Sequence, residues 1–123
     1  MSREKNWVLV VEDDADFAAL IQTVLRRGNF QTAHAWNGRQ ALVILKSEVP
    51  PELIVTDLNM PLMGGNELCR ELASDSRFRE IPVVIYSSET NLGATARDLG
   101  AAGYASKIDP PAKLLAEVRR CCR

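Results

Sequence analysis

Several polar side chains of this sequence follow short apolar runs, at points where strands of a parallel sheet would end. Glu12 and Asp13 come directly after WVLVV, and Asp57 comes directly after LIVT. Ser87 follows VVIY, and Lys107 follows GYAS. Because ligands of open α/β sheets bind beyond the carboxyl ends of the strands, we expect these side chains to lie close together.

The three carboxylates of this set predict a site for a divalent cation and a phosphoryl group. In a sheet of order 2-1-3-4-5, strands one and three are neighbours, so Glu12, Asp13 and Asp57 converge. Converging like charges raise each other's pKa or require a cation, and oxygen ligands favour Mg²⁺ with phosphate over zinc. The Ser87 hydroxyl and Lys107 can bind the remaining phosphoryl oxygens. Asp57 is the candidate nucleophile, because carboxylates form acyl phosphates.

Five strand and helix units are expected to position these residues. The predicted strands cover residues 7–11, about 30–35, 53–56, 83–86 and about 103–106. The predicted helices cover about 17–27, 39–46, 67–73, 92–99 and 111–120, and Gly28 provides a stop after the first. This alternation predicts a single α/β domain with a mostly parallel sheet.

Composition limits the classes of function. The chain has 123 residues and a net charge of −1, without the basic excess of a nucleic-acid surface, so we expect no nucleic-acid binding. Cys69, Cys121 and Cys122 fit neither a disulfide framework nor zinc spacing. No apolar run approaches the roughly 18 residues of a membrane span, and we expect no signal peptide because the N-terminus is polar where one would need an apolar region. We expect a cytoplasmic protein without a membrane partner.

Four segments together carry a family resemblance. VLVVEDDADF, VTDLNMPLMGG, IPVVIYSSE and GYASK, in this order and at these intervals, resemble the receiver domain of bacterial two-component response regulators. The resemblance covers roughly Trp7 to Val118 and favours the single-domain chemotaxis type. It implies one receiver domain over residues 1–123, with a flavodoxin-like doubly wound fold of five parallel strands in the order 2-1-3-4-5.

The resemblance also implies a role for each acidic residue. Glu12 and Asp13 match the acidic pair that binds Mg²⁺, and Asp57 matches the aspartate that becomes phosphorylated. The backbone carbonyl of Asn59 completes the implied metal ligands. The implied phosphodonor is a sensor histidine kinase or a histidine phosphotransfer protein, so the protein is expected to catalyse only its own phosphoryl transfer and dephosphorylation.

Three further residues match the parts of a receiver that contact the phosphoryl group and transmit the signal. Ser87 and Lys107 match the hydroxyl and the lysine that contact the phosphoryl group, and Tyr104 matches the aromatic switch residue. The family usually has proline after the lysine, where this chain has Ile108. Because a cis peptide before a non-proline residue costs about 3–4 kcal/mol, we predict a trans Lys107–Ile108 peptide and a shifted loop.

The implied output is a contact with a downstream protein through the face of the fourth helix, fifth strand and fifth helix. The protein is expected to be a monomer or a phosphorylation-dependent dimer. Asn59 and Glu89 lie two residues beyond Asp57 and Ser87, positions that flank the path of the attacking water in receivers. This pair resembles that of chemotaxis regulators and predicts a phosphoryl state that decays quickly.

Two alternative functions remain at this stage. An unphosphorylated pseudo-receiver that only binds proteins is favoured by Ile108. A small aspartyl-phosphate phosphatase would need a DxD motif directly after the first strand, and Asp14-Ala15-Asp16 lies too late for this. His34 is expected to face solvent without a partner and not to act in a phosphorelay. The tail from Arg119 onward is expected to fray.

Overall fold

The computed structural model describes residues 7–122 and contains five strand and helix units. The strands are β1 (Trp7–Val11), β2 (Gln31–Ala35), β3 (Leu53–Thr56), β4 (Val83–Ser87) and β5 (Gly103–Ser106). The helices are α1 (Ala15–Arg27), α2 (Gly38–Ser47), α3 (Gly65–Ala73), α4 (Leu92–Leu99) and α5 (Ala112–Cys121). All strand pairs are parallel and the order is β2-β1-β3-β4-β5, which confirms the predicted flavodoxin-like sheet.

Strand β1 is buried on both faces, as its uninterrupted apolar sequence predicts. Each of its five residues is at most 1% exposed. Side chains of a strand alternate between the two faces, so Trp7, Leu9 and Val11 belong to one core and Val8 and Val10 to another. A parallel strand with helices on both sides leaves no face for polar residues, which explains WVLVV.

The helices cover the two faces of the sheet unequally. Helices α1 and α5 pack on one face, through Ile21, Leu25, Leu114 and Val118. Helices α2 and α3 pack on the other face, through Ala41, Leu45, Leu68, Cys69 and Leu72. Helix α4 contacts a smaller cluster through Leu92 and Ala96, which pack with Leu58 and Ile85. Within residues 7–122, no helix is both long and apolar enough to cross a membrane.

The strand register brings the polar strand ends to one edge of the sheet. Val11 of β1 pairs with Thr56 of β3, so Glu12 and Asp57 leave adjacent strands at the same level. Ser87 of β4 pairs with Ser106 of β5, so Lys107 leaves β5 beside the end of β4. The side chains predicted to do chemistry therefore share one edge.

Two of the boundaries that differ from the sequence prediction have a clear structural reason. Helix α3 begins at Gly65, two residues early, because the Gly65 N–H donates to Leu58 O (2.8 Å) and the turn closes directly into the helix. The expectation that the tail frays from Arg119 is wrong as far as Cys121, where α5 ends. Its last turn is tied to the sheet, since Arg120 Nη2 donates to Ala102 O at 3.1 Å. Arg123 and residues 1–6 lie outside the described residues, so the signal-peptide expectation is not addressed.

Candidate functional site

Asp57 stands at the carboxyl end of β3 with both carboxylate oxygens engaged. Its backbone N–H donates to Val11 O (3.1 Å), which fixes the residue beside β1. One carboxylate oxygen accepts from the Leu58 N–H (2.7 Å), and the other accepts from Lys107 Nζ (2.7 Å). The side chain is 13% exposed. The carboxylate is therefore held in one orientation while solvent still reaches it.

Glu12 forms the buried floor of the site. Its side chain is 1% exposed, and Oε2 accepts from the Asp14 N–H at 3.1 Å. Lys107 Nζ lies 2.8 Å from Oε1 as an ion pair, but within residues 7–122 no hydrogen bond of acceptable geometry reaches this oxygen. Burial raises the pKa of Glu12 in spite of the nearby ammonium. A buried carboxylate oxygen that accepts no hydrogen bond is unfavourable, so an additional cation would stabilise it.

Glu12, Asp13 and Asp57 form a cluster of oxygen donors. One carboxylate oxygen from each residue lies within 4.8 Å of the others. Glu12 is buried, Asp57 is half-buried and Asp13 is exposed, so the cluster opens toward solvent on the Asp13 side. A set of carboxylates without thiolate or imidazole suits Mg²⁺. Glu12 Oε1 accepts no hydrogen bond within residues 7–122, and this observation supports a cation at the cluster.

Lys107 links the two carboxylates that leave β1 and β3. Its side chain is 8% exposed and contacts both Asp57 and Glu12. Burial alone would lower the pKa of Lys107, but its hydrogen bond to Asp57 and its ion pair with Glu12 outweigh burial and raise the pKa. The following peptide is trans, which confirms this part of the prediction, whereas the shifted loop stays a prediction, and Ile108 is 83% exposed. The lysine thus remains charged at the site, and the side chain of the next residue faces solvent.

Ser87, Asn59 and Glu89 connect the loops around the site. Ser87 is 1% exposed, its carbonyl accepts from the Lys107 N–H (2.9 Å), and its hydroxyl accepts from the Glu89 N–H (3.2 Å). Asn59 Nδ2 donates to Glu89 Oε2, which joins the loop after β3 to the loop after β4. Asn59 and Glu89, which are predicted to flank the path of the attacking water, are therefore hydrogen-bonded to each other.

Tyr104 lies apart from the carboxylates, on the edge strand β5. Its side chain is 47% exposed. The hydroxyl lies 3.0 Å from the position that a Cβ on Gly93 would occupy, so the ring lies against the start of α4. Its backbone N–H donates to Glu117 Oε2 (3.1 Å) on α5. Tyr104 therefore connects β5 with α4 through its ring and with α5 through its backbone, away from the carboxylate cluster.

His34 is half-buried and has a hydrogen-bond partner, so the expectation that it lacks a partner is wrong. His34 Nε2 lies 2.8 Å from Glu12 O, and because a carbonyl only accepts, Nε2 carries the proton. The ring also packs edge-on against Trp36, with centroids 4.2 Å apart. The Glu12 N–H donates to Ala35 O (3.0 Å), so β2 holds the Glu12 backbone at two points. The sequence contained one signal for this contact, because His34 is a polar residue on β2, the strand beside the one that Glu12 follows.

Phe17 is a second residue whose place at the site the sequence did not reveal. The pattern assigned it to the apolar stripe of the first helix, yet Lys107 Nζ lies 4.3 Å from its ring centroid. The carboxylate of Asp14 caps α1 by accepting from the Phe17 N–H at 3.0 Å. Apolar periodicity cannot distinguish a core ring from one that faces a buried ammonium.

Comparison with known proteins identifies what this chain resembles. A family model described as response regulator receiver domain matches residues 8–119. The DNA-binding response regulator MtrA of Mycobacterium tuberculosis is 36% identical over 121 residues, which cover 97% of this chain and 51% of the relative. The two-component response regulator ORR5 of rice, Oryza sativa, is 43% identical over 82 residues, which cover 67% of this chain and 61% of the relative. The chain spans about half the length of the MtrA relatives.

Solved structures with the same fold come from several bacteria. The receiver domain of a signal transduction histidine kinase from Syntrophus aciditrophicus has a TM-score of 0.84 at 31% identity, covering 94% of this chain and 89% of that one. The chemotaxis response regulator CheY4 of Vibrio cholerae has a TM-score of 0.86 at 25% identity, covering 96% and 99%. The likeness extends over nearly the whole of these chains.

Proposed function

This chain belongs to the response regulator receiver domain family, and from that membership we propose that it accepts a phosphoryl group on Asp57. The donor is a phosphohistidine of a sensor histidine kinase or of a histidine phosphotransfer protein. The fixed, solvent-accessible Asp57 carboxylate between Lys107 and the acidic pair is the observation that carries this proposal. Members of the family are signalling modules, and the reaction proposed here modifies the protein itself.

The proposed transfer is a displacement at phosphorus. A carboxylate oxygen of Asp57 attacks the phosphorus atom, the new P–O bond gives an acyl phosphate, and the P–N bond to the donor imidazole breaks. The imidazole nitrogen leaves with the electron pair and takes up a proton. Lys107, already hydrogen-bonded to Asp57, stabilises negative charge on the transferring oxygens, and the Ser87 hydroxyl donates to one of them.

The acidic cluster is the proposed Mg²⁺ site. Glu12, Asp13 and Asp57, with the backbone carbonyl of Asn59, would hold the ion. When bound, Mg²⁺ supplies positive charge that stabilises the phosphoryl oxygens during transfer. Lys107 neutralises part of the same carboxylate charge, so ion binding requires its contact with Glu12 to loosen.

The proposed output is a protein contact on the face formed by α4, β5 and α5. Phosphorylation replaces the single negative charge of the Asp57 carboxylate with a phosphoryl group of about 1.5 to 2 negative charges, and it places new acceptor oxygens beside Ser87. A hydrogen bond from the Ser87 hydroxyl would move the loop after β4, and Tyr104 would rotate into the vacated space. The chain then acts as a monomer or as a dimer formed on phosphorylation. The longer MtrA relatives are named as DNA-binding regulators, and DNA binding is not part of this proposal.

Phosphorylation by a small donor tests the proposal. The purified protein is incubated with phosphoramidate, whose P–N bond imitates phosphohistidine, with Mg²⁺ or with EDTA, and is analysed by phosphate-affinity electrophoresis. We expect a shifted band with Mg²⁺ only, and none for Asp57→Asn. Asp16→Asn is the matched control, because it removes an exposed carboxylate from the first turn of α1, outside the acidic cluster.

Three outcomes contradict the proposal. An unshifted wild-type protein that still binds a partner in the absence of phosphodonor would support a pseudo-receiver. Steady release of phosphate from a phosphate ester that continues in Asp57→Asn would indicate a phosphatase that uses another nucleophile. A shift that persists in Asp57→Asn would place the phosphoryl group elsewhere.

A further inference from the structure

The ammonium of Lys107 is enclosed between carboxylates and an aromatic ring. Two of its contacts are to Asp57 Oδ2 (2.7 Å) and Glu12 Oε1 (2.8 Å). Nζ also lies 4.3 Å from the centroid of the Phe17 ring, over its face. With 8% of the side chain exposed, water has little access to this ammonium. A ring face attracts a cation, and more strongly when water is excluded.

The loop that carries Lys107 fixes its backbone but not its side chain. The Lys107 N–H donates to Ser87 O (2.9 Å), and the Ile108 N–H donates to Ser106 Oγ (3.2 Å). Ile108 is 83% exposed, so its side chain does not anchor the loop. A lysine side chain has several rotatable bonds and loses much conformational freedom when ordered. Contacts at its tip must therefore determine where the ammonium lies.

The orientation of the Phe17 ring is set by contacts other than Lys107. The Phe17 N–H donates to Asp14 Oδ1 (3.0 Å), which fixes the residue in the first turn of α1. The ring packs edge-to-face on Tyr86, with centroids 6.3 Å apart and planes at 76°. Tyr86 is 1% exposed and belongs to the core between the sheet and α1 and α5. The ring is thus a fixed surface against which the ammonium can rest.

We infer that Phe17 is a positioning residue, whose ring face holds the Lys107 ammonium beside Asp57 for phosphoryl transfer. The inference rests on the proposed function. Of the ammonium's three attractive contacts, those with Glu12 and Asp57 involve carboxylates that would also hold a divalent cation. The ring offers no ligand atom to a metal ion. The Phe17 contact can therefore persist when Glu12 turns to the ion, and it keeps the lysine directed at the oxygens of the transferring group.

Substitution of Phe17 by aliphatic and aromatic residues tests this role. Phe17→Leu keeps an apolar side chain and removes the ring, whereas Phe17→Tyr and Phe17→Trp keep a ring face. We expect Phe17→Leu to slow Mg²⁺-dependent phosphorylation by phosphoramidate about 3- to 30-fold. The aromatic variants should stay within about threefold of wild type. Equal rates for the leucine and aromatic variants would overturn the inference.

A double-mutant cycle shows whether Phe17 acts through Lys107. If it does, Phe17→Leu slows the wild-type protein but has no further effect in a Lys107→Met background. Effects that multiply independently would indicate that the ring serves only the packing of α1. Thermal unfolding of each variant identifies any loss that comes from incomplete folding.

A spectroscopic measurement tests the ring contact without any phosphorylation. In protein labelled with ¹³C-lysine, the Lys107 ε-methylene signal is assigned by its absence in Lys107→Met. The ring current of Phe17 should move its protons upfield, and Phe17→Leu should abolish that shift while Phe17→Tyr keeps it. An unchanged signal in Phe17→Leu overturns the positioning role. If wild type shows the shift but is never phosphorylated, the proposed function fails and the ring contact stands.

Discussion

At the scale of single residues, Asn59 and Glu89 form a hydrogen-bonded pair between the loops that follow β3 and β4. A polar pair at the mouth of the site can orient a water molecule toward the acyl phosphate. We predict that Asn59→Ala with Glu89→Ala slows decay of phosphorylated Asp57 by about tenfold or more, because loss of orientation carries a large rate penalty. Loss of the shifted band after removal of the phosphodonor measures this rate.

The pair should act as one unit. Because Asn59 binds Glu89 directly, each single alanine variant is expected to show most of the slowing seen in the double variant. Glu67→Ala serves as control, since it also removes an exposed glutamate but lies on α3. A double variant that decays at the wild-type rate would contradict the assignment of these residues.

The sequence predicted where the site residues lie along the strands but not how they contact each other. Glu12, Asp57 and Lys107 follow apolar runs, and parallel strands bring such positions to one edge. Apolar periodicity does not show where the side chain of a residue that follows a strand points. The ion pair of Lys107 with Glu12 was therefore not predicted. The contact of His34 with the Glu12 carbonyl was missed for the same reason, since it depends on the register between β1 and β2.

At the scale of elements, the end of α4 depends on the backbone of Gly100. This residue has φ +73°, in the left-handed region, and a Cβ added to it would meet no atom within 4 Å. Gly100→Ala is therefore expected to lower the free energy of unfolding by about 1–2 kcal/mol through backbone strain alone. Urea unfolding followed by far-ultraviolet circular dichroism measures the change.

Leu62 provides the comparison for this prediction. It also has positive φ (67°), and its side chain is 69% exposed. Leu62→Gly removes backbone strain but makes the unfolded chain more flexible, so the two effects oppose each other and stability should change by less than about 0.5 kcal/mol. If Gly100→Ala is as stable as wild type, the left-handed conformation does not control the end of α4.

Most elements could be predicted because each signal was local. The five strands and five helices follow from apolar periodicity, and their boundaries agree within a few residues. Gly28 was correctly placed at the end of α1, although its φ is −86°. The structure gives another reason for glycine there, since an added Cβ would lie 2.6 Å from Leu115 on α5. That contact joins distant parts of the chain, which a local pattern cannot show.

At the scale of the whole molecule, the sheet connects the proposed phosphorylation site with the proposed output face. Strand β4 carries Ser87 at its end and pairs along its length with β5, which carries Tyr104. On the other side, β3 leads directly to Asp57 and pairs with β4. A change at Asp57 can therefore reach the edge strand through a single intervening strand, and α4 and α5 pack against that strand pair.

The exposure of Tyr104 should report this connection. The chain contains two tyrosines, Tyr104 at 47% exposure and Tyr86 at 1%. In protein labelled with 3-fluorotyrosine, a soluble paramagnetic agent should broaden the ¹⁹F signal of Tyr104 much more than that of Tyr86. After addition of phosphoramidate and Mg²⁺, we predict that the Tyr104 signal becomes protected, because the ring turns inward as the loop after β4 moves.

Tyr86 and the Asp57→Asn variant provide the controls for this measurement. Tyr86 is already buried in the core beside α1 and α5, so its signal should respond little to phosphorylation. Asp57→Asn should keep the unprotected Tyr104 signal under all conditions, since it lacks the acceptor carboxylate. A Tyr104 signal that stays equally accessible while electrophoresis shows full phosphorylation would mean that output leaves the molecule by another face, and the loop containing Asn59 would be the next surface to examine.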